Sequence, residues 1–407
     1  MTDREAGRVV IAGGGIGGLA AAIGLARKGI ASIVLERAPA FGEIGAGIQL
    51  GPNAFHAFDY LGVGEKARQM AVHIDNLRLM DALSGEEITR IPLGDDFRAR
   101  MGNPYAVVHR GELHRVFLDA CAAHPLVTLR THAAVTGYER GKEQVAAVLE
   151  GGERVVGRAL IGADGLWSKV RAQMLGDGAP RVSGHTTYRS VIPVQDMPED
   201  LRWNAATLWA GPKCHIVHYP LSGWKMFNLV VTYHNDAPEP VAGKPVTHDE
   251  VRKGFEHVSP LARSVIDKGQ DWKLWVLCDR DPVMGWTDGP VALLGDAAHP
   301  MLQYMAQGAC MAMEDAVALA EEMGAGFDDP AAALEAYQNR RRLRTARVQL
   351  QSRAVGEHIY HPAGAHAALR NAVMQARGPE EWYAQVEWLY GSTGLEGAIS
   401  SETRAAE

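Results

Sequence analysis

The sequence contains few cysteines, and they show no pairing pattern. Only four occur among 407 residues, widely separated and without a C-x-x-C pair. They are Cys121, Cys214, Cys278 and Cys310. This spacing excludes a disulfide framework and a zinc ribbon, and it favours a reducing compartment. We therefore expect four free thiols and no metal site.

Long apolar runs and an excess of basic residues are also lacking. No stretch approaches the roughly 18 uninterrupted apolar residues of a spanning helix, and the N-terminus does not read as an export signal. Lys and Arg number 41 against 48 Asp and Glu, a formal net charge of -7, so binding to nucleic acid or an anionic membrane is not indicated. With 47% hydrophobic residues, we expect a globular, cytoplasmic protein.

Glycine is abundant, with 45 residues, and its arrangement near the N-terminus indicates a nucleotide-binding unit. An apolar run at 9–12 is typical of a buried parallel strand and leads into G-x-G-x-x-G at Gly13, Gly15 and Gly18. The first glycine permits a tight turn, the second lets the backbone approach a pyrophosphate, and the third allows close helix–strand packing. The diphosphate then lies at a helix N-terminus, where free N–H groups and the helix dipole favour an anion.

The elements that follow the glycines fit the same unit. Residues 19–28 predict an Ala-rich helix ended by Gly29, and a second strand at 32–35 ends on Glu36. Glu36 is placed to accept hydrogen bonds from a ribose diol, which argues against a 2′-phosphate there. Its neighbour Arg37 is counted with the cofactor-binding residues. The unit predicts a dinucleotide, NAD or FAD, and the motif does not separate the two.

Two distant segments share one layout, in which an apolar strand is followed by Gly and Asp. Asp164 follows the run at 160–163, and Asp296 follows the run at 291–295. Because ligands bind outside the carboxyl ends of parallel strands, both acids are well placed for cofactor contacts. Taken alone, each Asp is equally typical of a loop or a helix cap.

Together, the three motifs resemble those of the single-component FAD-dependent aromatic hydroxylases, the family that includes p-hydroxybenzoate and salicylate hydroxylases. That family carries G-x-G-x-x-G near its start, a "DG" motif midway and a "GD" motif near three quarters of the chain. Here the second is Asp164-Gly165 and the third is Gly295-Asp296. The resemblance covers essentially the whole chain and implies tightly bound FAD.

The same resemblance implies roles for individual residues. Asp296 is expected to hold the ribityl chain of the flavin, and Asp164 to serve both FAD and the pyridine nucleotide. Gly308 and Ala309 are expected beside the flavin ring. Arg110 matches a position that contacts FAD in the family, although a salt-bridged surface arginine is the alternative.

The predicted fold is α/β, with a Rossmann-like FAD-binding domain interrupted by a β-sheet substrate domain and followed by C-terminal helices. Alternating and aromatic residues in the interrupting segments are typical of strands. The FAD-binding domain is assigned to 1–71, 107–181 and 276–325, the substrate domain to 72–106 and 182–275, and the helical region to 326–407.

Within that helical region, residues 331–355 predict one long helix with Pro330 at its start, a favoured first position. The helix carries several arginines, for which a solvated, ion-paired face is favoured over a nucleic-acid surface. They are Arg340, Arg341, Arg342, Arg344 and Arg347.

The resemblance also implies the chemistry. NADH, with NADPH not excluded, reduces FAD; the reduced flavin adds O2 to form a C4a-hydroperoxide, and an electron-rich ring carbon attacks its terminal oxygen. The protein orients the substrate and excludes water. Forming a phenolate at pH 7 costs about 4 kcal/mol unless a base assists, and histidine is the usual base near neutrality.

One histidine is the best candidate for that base. His215 lies in a strand-like segment in which alternation places His215, Val217 and Tyr219 on one face and His218 on the other. An ordinary sheet histidine is the alternative. The segment is similar to the strand of 3-hydroxybenzoate 6-hydroxylases that carries an active-site His and, four residues on, a Tyr.

Gln303 makes the resemblance more specific. Many relatives have a proline three residues after His-Pro, whereas this chain has Gln303 after His299-Pro300, which matches the 3-hydroxybenzoate 6-hydroxylases. There the glutamine joins the histidine in positioning the phenol; a simple turn residue is the alternative.

The implied reaction is 3-hydroxybenzoate to 2,5-dihydroxybenzoate (gentisate), in a homodimer. Salicylate 1-hydroxylase and 6-hydroxynicotinate 3-monooxygenase share the cofactor motifs, and a plain NAD-dependent dehydrogenase or a non-catalytic flavoprotein scaffold remain alternatives from other classes.

Overall fold

The computed structural model describes residues 7–42, 45–391 and 393. The strands are β1 (Val9–Ala12), β2 (Ser32–Leu35), β3 (Gly47–Leu50), β4 (Val72–His73), β5 (Asn76–Asp81), β6 (Glu87–Pro92), β7 (Ala106–His109), β8 (Val127–Arg130), β9 (Val135–Arg140), β10 (Val145–Leu149), β11 (Arg154–Gly157), β12 (Ala159–Gly162), β13 (Arg181–Pro193), β14 (Ala205–Gly211), β15 (Cys214–Leu221), β16 (Met226–His234), β17 (Ala242–Pro245), β18 (Lys273–Asp279), β19 (Thr287–Asp288) and β20 (Val291–Leu293). The α-helices are α1 (Ile16–Arg27), α2 (Pro52–Tyr60), α3 (Gly64–Met70), α4 (Asp95–Met101), α5 (Arg110–Ala123), α6 (Lys169–Leu175), α7 (His248–Arg252), α8 (Pro260–Asp267), α9 (Gly308–Gly326), α10 (Pro330–Val355), α11 (Gly364–Gln375) and α12 (Pro379–Tyr390).

A parallel sheet forms the nucleotide-binding part of the fold. Its order is β19-β20-β12-β1-β2-β8, and every pairing is parallel except that of the edge strand β19. The strands β1, β2, β12 and β20 are buried along their whole length, as expected of a parallel sheet covered on both faces. The predicted α/β fold with a Rossmann-like sheet is confirmed.

The glycine turn between β1 and α1 has the close approaches that its motif predicts. Gly13 has φ +109°, in the region that favours glycine, and a Cβ there would lie 2.3 Å from the carbonyl oxygen of Ala163. A Cβ on Gly18 would lie 2.0 Å from the carbonyl oxygen of Gly13. Both positions therefore exclude a side chain.

A second, eight-stranded sheet joins strands from two distant parts of the chain. Its order is β17-β18-β13-β16-β15-β14-β5-β6, so β5 and β6 from the first interrupting segment pair beside β14 from the second. The β-sheet predicted to interrupt the nucleotide domain is therefore present. The exact domain boundaries stay predictions, and residues 394–407 of the assigned helical region lie outside the described residues.

The long C-terminal helix is confirmed as α10, with Pro330 in its first turn; the ion pairing expected of its arginines is present, but the expected solvation is wrong for Arg341. Arg341 is only 2% exposed and pairs with Glu314 and Asp315, both at 2.7 Å and both fully buried. Arg344 adds a second contact to Glu314. The expected solvated face is instead partly an ion-paired interface between α9 and α10, because the carboxylates of α9 point toward these arginines.

All four cysteines are free, as expected. Three of them are buried, and burial raises the pKa of Cys121, Cys214 and Cys310 to about 12, which keeps these thiols protonated. Among the described residues, no helix combines the length and the apolar character needed to cross a bilayer.

Replacing Arg341 is expected to destabilise the fold strongly. In Arg341→Ala the carboxylates of Glu314 and Asp315 remain buried with fewer counter-charges, a loss of about 3–5 kcal/mol. The measurement is the free energy of unfolding in urea with saturating FAD. Asn339→Ala, at an exposed position of the same helix, is the control and should change it by less than about 0.5 kcal/mol. Equal stabilities of the two variants would contradict the importance of the buried pair.

Candidate active site

A single large cavity brings the predicted site residues together. It has a volume of about 990 Å³ and lies at the carboxyl ends of β1, β2, β12 and β20, with the eight-stranded sheet as another wall. Almost every residue assigned to the cofactor or to catalysis lines it. They are Gly13, Gly15, Glu36, Arg37, Arg110, Asp164, Asp296, Gly308, Ala309, His215, Tyr219 and Gln303. Gly18 does not line the cavity, but it packs closely against the carbonyl oxygen of Gly13.

One end of the cavity is built from backbone groups suited to a diphosphate. Gly15 is the N-cap residue of α1, and no side chain caps this helix, so its first N–H groups are left for a ligand. Glu36 holds the adjoining loop, because its carboxylate accepts hydrogen bonds from the backbone N–H of Gly14 at 2.9 Å and of Ala38 at 2.8 Å. The remaining lone pairs of this carboxylate stay available for a hydroxyl donor.

Asp164 and Asp296 differ in their surroundings. Asp164 accepts hydrogen bonds at the N-terminus of α6, from the hydroxyl of the N-cap residue Ser168 at 2.5 Å and from the backbone N–H of Lys169 at 2.7 Å. Burial raises the pKa of Asp164 despite these hydrogen bonds. Asp296 is exposed to the cavity in a one-turn helix, Gly295–Ala297. The helix-cap alternative therefore holds for Asp164, which also lines the cavity, whereas Asp296 is the more open carboxylate.

A second helix N-terminus opens into the cavity at Gly308 and Ala309. Gln307, which precedes α9, forms no side-chain cap. Its amide oxygen accepts a hydrogen bond from Asn53 at 2.8 Å, while its buried Nε2 has no partner among the described residues. Unpartnered N–H groups at two helix N-termini and a cleft of this size fit a dinucleotide with an isoalloxazine ring, so the residues present suit FAD.

The eight-stranded sheet presents one face to the cavity. Register aligns residues of β13, β16 and β15 in rows on that face. The rows are Thr187, Thr232 and His215; Arg189, Val230 and Val217; and Val191, Asn228 and Tyr219. His218 points to the opposite side, where it packs against Trp209 and Phe227. The predicted alternation along β15 is confirmed.

His215 is 1% exposed and is held by a neighbour from a distant part of the chain. Its Nδ1 lies 2.8 Å from Nε2 of His361, and its ring meets Tyr304 and Tyr360 edge-on. Burial, reinforced by His361 and His185, lowers the pKa of His215 well below its usual value. The imidazole is therefore neutral at pH 7, and its Nε2 is the ring nitrogen left for a ligand in the cavity.

The amide of Gln303 is fixed at both ends. Its Nε2 donates hydrogen bonds to the hydroxyls of Thr232 at 3.1 Å and Thr187 at 3.2 Å, and its Oε1 accepts one from Arg189 at 3.0 Å. This arrangement leaves a second lone pair of Oε1 as the amide's main free group. Gln303 is more than a turn residue, since it links the loop before α9 to the sheet.

Tyr219 packs against Gly47, the first residue of β3. A Cβ on Gly47 would lie 2.5 Å from its ring, and the backbone N–H of Gly47 donates a hydrogen bond to Oδ1 of Asn228 at 2.7 Å. Burial raises the pKa of Tyr219 above its ordinary value, against the lowering effects of Arg189 and Asn228. The phenol is therefore neutral at pH 7.

Three residues of the cavity and its wall escaped the sequence-based prediction. Arg189 and Tyr360 line the cavity, and His361 supports His215 from behind. β13 is rich in polar residues, so nothing local in its sequence distinguishes Arg189 from the others. Nothing local in the sequence connects His361 to His215, because 146 positions separate them.

Comparisons with known proteins identify the family of this chain. The family model described as "FAD binding domain" matches residues 7–352. The chain is 56% identical over 388 residues to 3-hydroxybenzoate 6-hydroxylase 1 of Aquipseudomonas alcaligenes, covering 95% of this chain and 98% of that protein. It is 50% identical over 392 residues to 3-hydroxybenzoate 6-hydroxylase of Polaromonas naphthalenivorans (strain CJ2), covering 96% and 98%.

A solved structure shows the same architecture. An HpxO variant of Klebsiella pneumoniae, complexed with FAD, superposes with a TM-score of 0.83 at 26% identity, covering 93% of this chain and 97% of that one. The resemblance inferred from the three motifs is thus confirmed over most of the chain. The chain belongs to the FAD-binding-domain family and, within it, to the FAD-dependent aromatic monooxygenases.

Proposed function

We propose that this protein uses NADH and O2 to convert 3-hydroxybenzoate to 2,5-dihydroxybenzoate. The observation that carries the proposal is that one sheet face presents a neutral histidine, His215, and a cation, Arg189, to the same cavity as the N-terminus of α9. A hydroxylated aromatic acid needs both groups, one for its phenol and one for its carboxylate. The 3-hydroxybenzoate 6-hydroxylases at 56% and 50% identity support this choice of substrate.

Arg189 is suited to bind the carboxylate. Its Nη2 is held by Gln303, its Nε is buried without a partner, and among the described residues no carboxylate forms an ion pair with it. Burial lowers the pKa of Arg189, with the nearby Arg110 acting in the same direction and Tyr219 opposing it. A half-buried cation without a counter-ion is incompletely solvated, so an anionic ligand is stabilised there.

His215 and Gln303 act on the phenol. Nε2 of His215 accepts the phenolic proton, which assists an ionisation that costs about 4 kcal/mol at pH 7. Gln303 orients the phenolic oxygen through its amide and does not serve as a base. Tyr219, on the same face of β15, contributes to substrate binding.

The cofactor-binding residues contact different parts of FAD along the cavity. Gly13, Gly15 and the start of α1 hold the diphosphate, Glu36 the ribose, and Asp296 the ribityl chain. Arg37, Arg110, Asp164, Gly308 and Ala309 complete the lining. When bound, FAD supplies hydride acceptance from NADH and activation of O2.

The product of the reaction tests the substrate assignment. With NADH and O2 the purified protein should form 2,5-dihydroxybenzoate from 3-hydroxybenzoate, detected by chromatography, and NADPH should support a lower rate. 3-Hydroxybenzyl alcohol, which lacks the carboxylate, is the control and should be turned over at least about tenfold less efficiently, since it cannot pair with Arg189. Formation of catechol from salicylate, with 3-hydroxybenzoate unchanged, would contradict the proposal.

The carboxylates assigned to FAD should control its retention. Asp296→Ala and Glu36→Ala remove charge-assisted hydrogen bonds, so the Kd for FAD should rise roughly tenfold or more. Both variants should affect FAD binding more than they affect the thermal midpoint of the apoprotein. The midpoint should change least in Asp296→Ala, whose carboxylate is exposed to the cavity. Asp200→Ala, at an exposed position in the other sheet domain, should leave FAD binding unchanged. Full flavin occupancy in both cavity variants would contradict the assignment.

Loss of His215 should uncouple NADH oxidation from hydroxylation. In His215→Ala, hydroxylation should fall at least about 100-fold, while NADH oxidation continues and the oxygen is released as hydrogen peroxide. Gln303→Ala should have the same effect more mildly. The measurement is the ratio of hydroxylated product to NADH consumed at saturating substrate. His366→Ala, on the exposed side of α11, is the control; a parental ratio and rate in His215→Ala would return His215 to a structural role.

A further inference from the structure

Four histidines form a file from the cavity to the protein surface. His215 lies at the cavity, with its Nδ1 2.8 Å from Nε2 of His361. The ring centroid of His361 is 5.2 Å from that of His185, which is 4.2 Å from that of His234. His234 is about one-third exposed, and its Nε2 lies 3.3 Å from the carboxylate of Asp236, which is exposed.

The sheet register explains how the file is built. His185 and His234 are paired across β13 and β16 and form the next row beyond that of Thr187, Thr232 and His215, on the same face. His361 follows the single π-helical turn Gly356–Tyr360 after α10 and stacks on His215 with a centroid distance of 5.1 Å. A segment that packs over the sheet thereby joins the cavity row to the surface row.

We propose that this file conducts the phenolic proton from the cavity to solvent, with His361 receiving it from His215. The proposal deepens the proposed function and rests on it, since it concerns the ionisation of a phenol bound in the same cavity. His361 does not touch the cavity, so it is a positioning and relay residue and His215 alone meets the substrate.

The transfer is balanced if His215 starts with its proton on Nδ1. The phenolic O–H bond breaks as an N–H bond forms at Nε2 of His215, and the Nδ1–H bond of His215 breaks as an N–H bond forms at Nε2 of His361. His361, which is itself partly exposed, then gives its Nδ1 proton to a water molecule on the side where His185 and His234 lead to solvent. No electrons are transferred, and the cavity is left with a phenolate.

A relay is required because none of the inner rings holds a second proton at pH 7, so each is a neutral imidazole with one N–H. Burial lowers the pKa of His361 to about 3 and that of His185 to about 4, and repulsion from neighbouring histidines adds to both shifts. His215 is lowered by the same causes. A proton accepted by His215 must therefore leave the site for the phenolate to persist. The other titratable or charged groups that face the file are Tyr304, Tyr360, Arg181, Asp236 and Asp279.

Proton release on ligand binding tests the file without turnover. Oxidised holoenzyme is mixed with 3-hydroxybenzoate in weak buffer that contains phenol red, without NADH, and the rate of proton appearance is recorded by stopped flow. The perturbation of the flavin spectrum gives the Kd in the same experiment. In His361→Asn, which retains a hydrogen-bonding side chain that cannot pass a proton, we expect release at least tenfold slower with the Kd within threefold of the parent value.

Matched variants separate a relay from a structural effect. His358→Asn makes the same substitution at an exposed position of the same turn and should release protons at the parent rate. Added imidazole should restore fast release to His361→Ala and not to His215→Ala. Release at the parent rate in His361→Asn, or a raised Kd with an unchanged rate at saturation, overturns the proposal.

The relay and the proposed function can fail separately. A parent enzyme that forms 2,5-dihydroxybenzoate but releases no proton on binding 3-hydroxybenzoate overturns the relay and leaves the function standing. A parent enzyme that releases a proton dependent on His361, but forms no 2,5-dihydroxybenzoate, supports the relay and contradicts the function.

Discussion

The carboxylate of Asp315 holds together the parts of the chain that build the cavity. It accepts hydrogen bonds from the backbone N–H of Gly295 at 3.0 Å, from His299 at 2.5 Å and from Arg341 at 2.7 Å. Burial alone would raise its pKa, but His299 and Arg341 lower it to about 2, so it is ionised at pH 7. This one charge joins the Gly295-Asp296 turn, α9 and α10. The open carboxylate of Asp296 and the N-terminus of α9 are therefore held at fixed positions relative to each other.

On the substrate side of the cavity, strand register determines which side chains face the ligand. The rows that cross β13, β16 and β15 bring His215 and Arg189 to one face although the strands come from different parts of the chain. Gln303 then hydrogen-bonds to that face through Arg189 and two threonines, which connects it to the loop before α9. A one-residue slip in register would turn these side chains away from the cavity, so the pairing of these strands determines the chemistry.

The parts of this site that depend on short local motifs could be predicted from the sequence. The parts that depend on contacts between residues far apart in the chain could not. Gly13 and Gly18 sit in a short motif whose spacing itself carries the physical requirement, so they could be identified directly, whereas the role of Asp296 came from the family resemblance. His361 could not be, since only the packing of the chain after α10 brings it to His215. Arg341 was misjudged because a charged helix pattern does not reveal that the facing helix carries buried carboxylates.

The charge distribution explains how a chain of net charge -7 accommodates anionic ligands. FAD is an anion, as are the aromatic acid and the nicotinamide dinucleotide of the proposed reaction, and the overall charge of the protein repels anions. Within the cavity, however, Arg37, Arg110 and Arg189 line the wall and two helices begin there without side-chain caps. Two of the acids that also line it, Glu36 and Asp164, already accept hydrogen bonds from the protein, whereas the carboxylate of Asp296 is open. These arginines and helix N-termini lie close to a ligand in the cleft and therefore offset the distant negative surface, because salt screens distant surface charges far more than charges in contact with the ligand.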